Sequence, residues 1–368
     1  MADSPTVKRL ATGLLFLALA TGLSAAGARA PAFVERVYSG STYPVLSSLV
    51  SCLSGAAPFS IAEIGVFAGI SWLVSRLVRV RRSARSKGWR SAGLAGLADV
   101  VLVAGVLALV FVLIWGLNYR RLPFAVSAGL DASPASRDEL RGLAAALALR
   151  TNELREGITE DAQGVMTTPG GPRSVLERTR AGFEAAAAHY PTLRGSCLRP
   201  KPLLVSGILS WLGLTGIYSP FTGEANVNVS APASEIPFSA SHEAAHQRGF
   251  AREDEANFVA YLACRFHPDR DFNYAGFLAA SVHASNALVA ADREAWTAVE
   301  ATRAPGVKRD LRALRAWAER HEGPVSRTSE RVNDAYLRSQ GQAEGVRSYG
   351  RMVDLLLAER RADEGRRR

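Results

Sequence analysis

Cysteine is scarce in this sequence, with three residues in a chain of 368. Three cysteines exclude a disulfide-stapled scaffold and a cysteine-rich zinc module. Charged residues are also few, at 21%, whereas hydrophobic residues reach 48%. This balance excludes an intrinsically disordered chain, which combines low hydrophobicity with high charge. The length predicts two or three folding units.

Long apolar runs are concentrated in the first 120 residues, at about 10–27, 61–78 and 100–117. Each run approaches the ~20 residues that an α-helix needs to cross a bilayer. We therefore expect a three-pass transmembrane anchor over residues 1–117 rather than a buried apolar hairpin. The first run resembles a cleaved signal peptide, but Pro31 would follow the cut, which favours an uncleaved helix.

The net charge of +10 is best explained by membrane topology. The densest basic stretch of the first 130 residues lies between the second and third runs, at 76–90, and positively charged loops stay in the cytoplasm. Lys8 and Arg9 then lie on the same side. We expect residues 31–60 and everything after Asn118 to lie outside the cytoplasm of a multi-pass cell (inner) membrane protein. The bilayer is the expected partner of these charges, and no nucleic-acid partner is expected.

The remaining residues, 118–368, predict a polar and mostly helical domain. Two S-x-x-E motifs, at 136–139 and 174–177, match the capping box that opens helices. Between 215 and 230, turn residues precede the alternating apolar and polar stretch 225–229, which predicts a β-hairpin. The expected fold class is therefore mainly α (α+β): three N-terminal transmembrane helices, then a largely helical domain with a small β-hairpin or sheet.

The residues that carry chemistry lie in His242-Glu243-Ala244-Ala245-His246. An HExxH spacing on a helix places two imidazoles one turn apart on the same face, so that both can bind one zinc ion. Glu243 then lies beside the metal, where it can activate a zinc-bound water. Pro237 and Gly249 fit the first turn and the end of such a helix. The alternative interpretation of the motif is a surface helix with two solvated histidines.

A third zinc ligand is expected from the acidic stretch that follows. Glu253 and Asn257 are four residues apart and share a helix face. Glu253 is the predicted ligand, and Asn257 could orient a ligand histidine through a hydrogen bond. Glu255 projects in another direction and is the alternative ligand. An acidic first turn that merely complements the helix dipole is the competing explanation.

With these residues in place, the sequence resembles the gluzincin metallopeptidases, which include thermolysin and the membrane-bound heat-shock zinc peptidases. The likeness rests on His242-Glu243-x-x-His246 together with Glu253-x-x-Ala256-Asn257. This chain has Asn257 where that family usually has aspartate. It also differs from metzincins, because Arg252 occupies the position of their third histidine. The resemblance implies zinc as cofactor and a zincin-like domain.

The chain resembles more closely, over nearly its whole length, a bacterial membrane-protein family described as domain of unknown function 3810. The matching stretches are residues 33–39, 216–228, the zinc region through Cys264, 333–337 and 345–350. Membership implies a zincin-like domain tethered by N-terminal helices, and it implies no substrate. In zincins, a strand upstream of the metal helix commonly binds extended peptide, and residues 225–229 occupy that place; an ordinary structural hairpin is the alternative.

Three functions remain distinct at this point. The leading hypothesis is a membrane-anchored zinc-dependent metallopeptidase, with Glu243 as general base and a peptide or protein substrate outside the cytoplasm. The second is a zinc-binding but catalytically inactive envelope scaffold or sensor. The third is a channel or transporter with an accidental HExxH, which the three spans and the large polar domain count against.

Two features of the predicted site stay open in the sequence. A second electrophile beside zinc usually stabilises the oxyanion, and the candidates are Tyr218, Tyr274, Arg347 and Tyr349. The cysteines allow one disulfide, between Cys197 and Cys264, or free buried thiols.

Overall fold

The computed structural model describes residues 4–195, 199–345, 347 and 351–367. Its helices are α1 (Ser4–Arg29), α2 (Pro31–Phe33), α3 (Tyr43–Gly55), α4 (Ile61–Lys87), α5 (Trp89–Ile114), α6 (Phe124–Ala128), α7 (Arg137–Arg155), α8 (Gly171–Ala186), α9 (Ser206–Trp211), α10 (Ile236–Gln247), α11 (Glu253–Arg265), α12 (Arg270–Ala291), α13 (Arg293–Ala301), α14 (Pro305–His321), α15 (Pro324–Ser339) and α16 (Met352–Arg367). A π-helix covers Val34–Thr42, and 3-10 turns cover Gly116–Arg120 and Pro191–Leu193. The strands are β1 (Lys201–Pro202), β2 (Gly216–Ser219) and β3 (Glu224–Val227).

The expected fold class is confirmed: the chain is mainly helical, with one small sheet and three N-terminal apolar helices. Helices α1, α4 and α5 are long and apolar enough to cross a membrane. The outward-facing surfaces of these three helices expose many large apolar side chains, which suits contact with lipid. The third helix ends at Ile114 rather than at residue 117, because the backbone turns into the 3-10 helix from Gly116.

Helices α1 and α5 run parallel and pack closely along their length. Arg9 Nη1 contacts Asp99 Oδ1 at 2.7 Å near their starts, and Gly27 lies beside Leu117 at their far ends. Between these points, the backbone at Gly13 leaves no room for a Cβ on Gly105. Small residues at such a crossing allow close backbone approach. The first and third apolar helices therefore begin on one side and end on the other.

The segment between α1 and α4, residues 30–60, is called here the membrane-adjacent segment. It includes the π-helix and α3, and it packs on the helical domain. Tyr38 Oη donates to the carbonyl of Leu113 at 3.0 Å, at the end of α5. Arg121 donates to both carboxylate oxygens of Glu35 at 2.8 and 2.7 Å. This segment and the domain therefore lie on the same side of the three apolar helices.

The predicted hairpin is confirmed, but its strands are arranged differently from the expectation. Strand order is β1-β3-β2, with β2 antiparallel and β1 parallel to β3. The stretch 225–229 thus begins in the central strand, where every residue of β3 is buried. It has no free edge for a substrate strand, and the expectation that it pairs with peptide is wrong. Strand β2 is the edge strand that the hairpin contributes.

One capping box is confirmed and the other is wrong. Ser136 accepts the Glu139 N–H, and Glu139 caps the Ser136 N–H in return, so that α7 begins at Arg137. The second helix, α8, begins three residues before Ser174, with Gly170 as its N-cap in the left-handed region (φ 71°). Pro172 fits the first turn of this helix, where its missing N–H costs nothing. Ser174 therefore lies inside α8 and opens no helix.

Of the two alternatives for the cysteines, the free buried thiol is confirmed for Cys264 and the disulfide between Cys197 and Cys264 is wrong. Cys264 is a free thiol, fully buried in α11, so it forms no disulfide with Cys197, which lies outside the described residues. Burial raises the pKa of the Cys264 thiol to about 12. Cys52, in the membrane-adjacent segment, is disulfide-bonded.

A buried ion pair joins the sheet to the second apolar helix. Lys201 Nζ contacts Glu224 Oε1 at 2.5 Å, with both side chains almost fully buried. The Glu224 carboxylate also accepts the N–H groups of Ile61 and Ala62 at 3.0 and 2.8 Å. It therefore caps the start of α4, where a negative charge is favoured.

Replacing Glu224 with alanine is expected to lower the free energy of unfolding by about 3–5 kcal/mol, because it leaves the Lys201 ammonium buried without its partner. Denaturant unfolding of detergent-solubilised protein measures this loss. Glu184→Ala removes one partner of the exposed Arg180–Glu184 pair and should cost at most about 1 kcal/mol. Equal losses in the two variants would contradict the assignment.

Candidate metal centre

The HExxH sequence lies on helix α10 as expected. Pro237 is in its first turn, and Gly249 follows its end in the left-handed region, with φ 82°. The two alanines of the motif are fully buried, which lets the helix pack tightly against its neighbours. The rings of His242 and His246 lie on one face, with centroids 4.6 Å apart and planes perpendicular.

Glu253, the first residue of α11, brings its carboxylate to these two imidazoles. Glu253 Oε2 lies 3.2 Å from His242 Nε2 and 3.5 Å from His246 Nε2. One ligand atom from each of the three residues falls within 4.8 Å of the others. Two imidazole nitrogens and one carboxylate oxygen are a donor set that zinc accepts in catalytic sites, where a fourth position stays open.

The hydrogen bonding of this cluster fits a metal ion. The buried Glu253 Oε2 has no hydrogen-bond donor among the described residues unless an imidazole Nε2 carries a proton. A buried carboxylate oxygen without a donor is costly, and a cation between it and the imidazoles would remove that cost. His246 Nδ1 lies 2.7 Å from the Phe250 carbonyl. If Nδ1 carries the proton, Nε2 keeps its lone pair for a metal.

The two histidines and the Glu253 carboxylate of this cluster attract one another electrostatically. Burial opposes the charged form of His246, but the Glu253 carboxylate outweighs it and raises the pKa of His246 to about 9. Burial acts against ionised Glu253 as well, yet the two histidines hold the pKa of that carboxyl well below its usual range. The three side chains therefore form a preassembled charged group.

Glu255, the alternative ligand, points away from the histidines. Its Oε1 accepts the Phe124 N–H at 2.8 Å and pairs with Arg252 Nη1 at 2.9 Å. Asn257 lies one turn after Glu253, is buried, and lines the same cavity as His242. Of the two carboxylates left open by the sequence, the structure brings Glu253 to the cluster.

Glu243 is placed by the edge strand. Its carboxylate lies so close to the backbone of β2 that a Cβ on Gly216 would come within 2.6 Å of Glu243 Oε1. Burial is the main influence on this carboxyl, and it raises the pKa of Glu243. A glycine at position 216 is therefore required for the position that Glu243 occupies.

A cavity of about 540 Å³ opens beside these residues. His242, Glu243, Asn257 and His283 line it together, Glu322 lines it from the link after α14, and α15 contributes Ser326, Arg327, Ser329, Glu330 and Asn333. Burial and then the neighbouring His242 lower the pKa of His283 to about 4, so its ring is neutral at pH 7. No spacing in the sequence relates His283 to the HExxH motif.

The C-terminal end of α10 is held by residues near the membrane. Trp115 Nε1 donates to the His246 carbonyl at 3.0 Å. Tyr43 Oη and Ser47 Oγ both donate to the Gln247 carbonyl, each at 2.8 Å. These bonds satisfy carbonyls that a helix end leaves without partners. They also connect α10 directly to the end of α5 and to α3.

The predicted oxyanion candidates are scattered. Tyr218, in β2, lies with its ring centroid 6.5 Å from that of His246, and its hydroxyl is 3.3 Å from the Tyr43 hydroxyl. Tyr274 donates to Asp310 at 2.6 Å within a separate apolar cluster. Arg347 is exposed and does not line the cavity, and Tyr349 lies outside the described residues. His283, which lines the cavity, was missed.

Comparison with protein families gives one match. The family described as "Protein of unknown function (DUF3810)" matches residues 38–357. That range covers the membrane-adjacent segment from Tyr38 onward, two of the apolar helices and all residues of the candidate metal centre. Neither the curated proteins nor the solved structures compared with the chain include a match.

Proposed function

The chain belongs to the DUF3810 family, and we propose that it is a membrane-anchored zinc-dependent metallopeptidase. The observation that supports this most is the buried convergence of His242, His246 and Glu253, with Glu243 lining the adjoining cavity. This arrangement reproduces the roles of the gluzincin motif that the sequence resembles.

His242, His246 and Glu253 would hold the zinc ion. When bound there, zinc supplies a Lewis acid that polarises a carbonyl and acidifies water. Glu243 takes a proton from the attacking water at its carboxylate and passes it to the leaving amine. Because burial raises the pKa of Glu243, the carboxylate binds that proton more readily than an exposed glutamate would. Neutral His283 is placed to donate an N–H to the substrate carbonyl.

The substrate is proposed to be an extended peptide. Strand β2 has one unpaired edge in the three-stranded sheet, and Gly216 of this strand lines the cavity beside Glu243. A peptide that adds to such an edge gains main-chain hydrogen bonds without needing a particular sequence. Its scissile bond would then lie over Glu243 and the metal ligands.

The site is proposed to lie outside the cytoplasm of the cell membrane. The basic stretch at 76–90 spans the end of α4 and the start of α5, and it marks the cytoplasmic side, because positively charged segments are retained there. The domain packs with the membrane-adjacent segment at the opposite ends of these helices. Cys52 of that segment is disulfide-bonded, and disulfides persist in oxidising compartments such as the periplasm.

An inactive zinc-binding scaffold or sensor is the second candidate. Two observations favour it: Asn257 replaces the carboxylate of the gluzincin pattern, and the metal-binding helix is bonded to residues at the membrane through Trp115 and Tyr43. It predicts bound zinc with no turnover of any peptide.

Zinc analysis and hydrolysis, measured on one preparation, test the proposal. Detergent-purified protein is expected to carry about one zinc per chain, to cleave members of a quenched peptide library, and to lose cleavage with a zinc chelator until zinc is restored. His246→Ala should lack both zinc and cleavage. Absence of zinc after reloading would overturn the proposal, and zinc without cleavage would favour the scaffold.

A further inference from the structure

A second cavity, of about 430 Å³, lies between the membrane-adjacent segment and the helical domain. Its lining includes Glu35, Ser47, Arg121, Arg194 and Arg248, and it shares no lining residue with the cavity at the metal centre. Three arginines in one cavity of this size are unusual, because each guanidinium needs acceptors when it leaves water.

One of these arginines is neutralised within the protein. Arg121 forms a bidentate ion pair with the Glu35 carboxylate, at 2.8 and 2.7 Å, and also donates to the Gly249 carbonyl at 3.2 Å. The single carboxylate of the cavity lining is therefore fully used. Nothing acidic in that lining remains for Arg194 or Arg248.

Arg248 is a partly buried cation whose partners do not match its charge. Its Nε donates to the Leu193 carbonyl at 2.9 Å, and its guanidinium stacks 4.2 Å from the ring centroid of Phe183. Its Nη1 is buried and contacts no acceptor in the described chain. No carboxylate of the described residues lies within 4.0 Å of Arg248 or of the exposed Arg194.

We propose that this cavity binds a phosphate group, held by Arg248 and Arg194. Guanidinium groups bind phosphate oxygens through parallel N–H donors, and Arg248 and Arg194 both line this cavity with no carboxylate partner among the described residues. The chemistry is shared by a lipid headgroup and by free phosphate. Position supports the lipid, because Glu35 lies six residues after the end of α1 and Arg121 lies seven after the end of α5.

The test is thermal unfolding of the full chain in a neutral detergent, with three additions at equal ionic strength: sodium phosphate, short-chain phosphatidylglycerol, and short-chain phosphatidylcholine. A ligand that binds the folded state raises the melting temperature in a saturable way. We expect a saturable rise with phosphatidylglycerol. A further rise with phosphate alone would identify the phosphate group as sufficient, and no rise with any addition would overturn the proposal.

Substitutions test whether the ligand-dependent rise in melting temperature comes from binding in this cavity. Arg248→Gln is expected to abolish the ligand-dependent rise, while Arg150→Gln, which changes an exposed arginine outside this cavity, should retain it. Retention of the full rise in Arg248→Gln would also overturn the proposal. If Arg248→Gln does not fold, Arg194→Gln decides the matter: loss of one charged contact should raise the lipid concentration for half the rise about tenfold, and an unchanged concentration would contradict the site.

Discussion

Glutamine in place of Glu253 is expected to reduce zinc occupancy from about one ion per chain to nearly none. The amide oxygen that replaces Glu253 Oε2 carries no charge, and the two histidines alone form an incomplete site. Changes to residues that only support metal ligands cost ~10–100-fold in affinity, so loss of a ligand should cost more. Elemental analysis after dialysis against a weak chelator measures the occupancy.

Glu255→Gln provides the matched control. Glu255 is two residues away in the same helical turn and is also buried, but its Oε1 is engaged by the Phe124 N–H and by Arg252. A glutamine oxygen can accept the same two hydrogen bonds. This variant should keep its zinc, and a reversed outcome, with zinc lost from Glu255→Gln and kept by Glu253→Gln, would show that the wrong carboxylate has been assigned.

Glu253 and Glu255 also show which features of the candidate site could be predicted from the sequence. HExxH spacing is a local property of one helix, so the approach of His242 to His246 follows from the 3.6-residue period alone. Which of Glu253 and Glu255 reaches the histidines depends on the orientation of α11 relative to α10. That direction is set by the link after Gln247, where Gly249 adopts φ 82°, and no pattern within α11 encodes it.

Sheet order was unpredictable for a related reason. The alternation of 225–229 correctly indicated a strand, but its central position comes from β1, which has two residues and no periodicity of its own. The same holds for His283, which reaches the cavity from α12, some forty residues after the motif. Contacts between distant segments determine both features, whereas the three apolar helices were predictable because span length and hydropathy are local.

Two residues make contacts between the apolar helices and the helical domain that the local sequence does not indicate. Trp115 lies at the end of an apolar run, where aromatic side chains often face the membrane interface, yet its indole N–H donates to the His246 carbonyl. The Glu224 carboxylate, in β3, caps α4. Hydrogen bonds thus join the apolar helices both to α10 and to the sheet, so the position of α10 depends on these helices.

Glutamine in place of Glu243 should separate catalysis from metal binding. The substitution keeps the shape beside Gly216 but removes the group that accepts a proton from water. General acid–base groups contribute ~10²–10⁴-fold to rate, and we expect the hydrolysis rate to fall by about that factor while zinc occupancy stays at the parent level. Peptide cleavage measured at saturating zinc, with elemental analysis of the same sample, gives both values.

Two further outcomes test whether Glu243 is the proton acceptor of the proposed peptidase. Glu255→Gln, which changes a buried carboxylate of α11 that is not aimed at the cluster, should retain both zinc and hydrolysis, so that loss of activity in Glu243→Gln cannot be ascribed to removal of any nearby charge. Full hydrolysis by Glu243→Gln would exclude this carboxylate as the proton acceptor. A purely structural role of Glu243 would instead appear as a lowered melting temperature with unchanged cleavage per folded molecule.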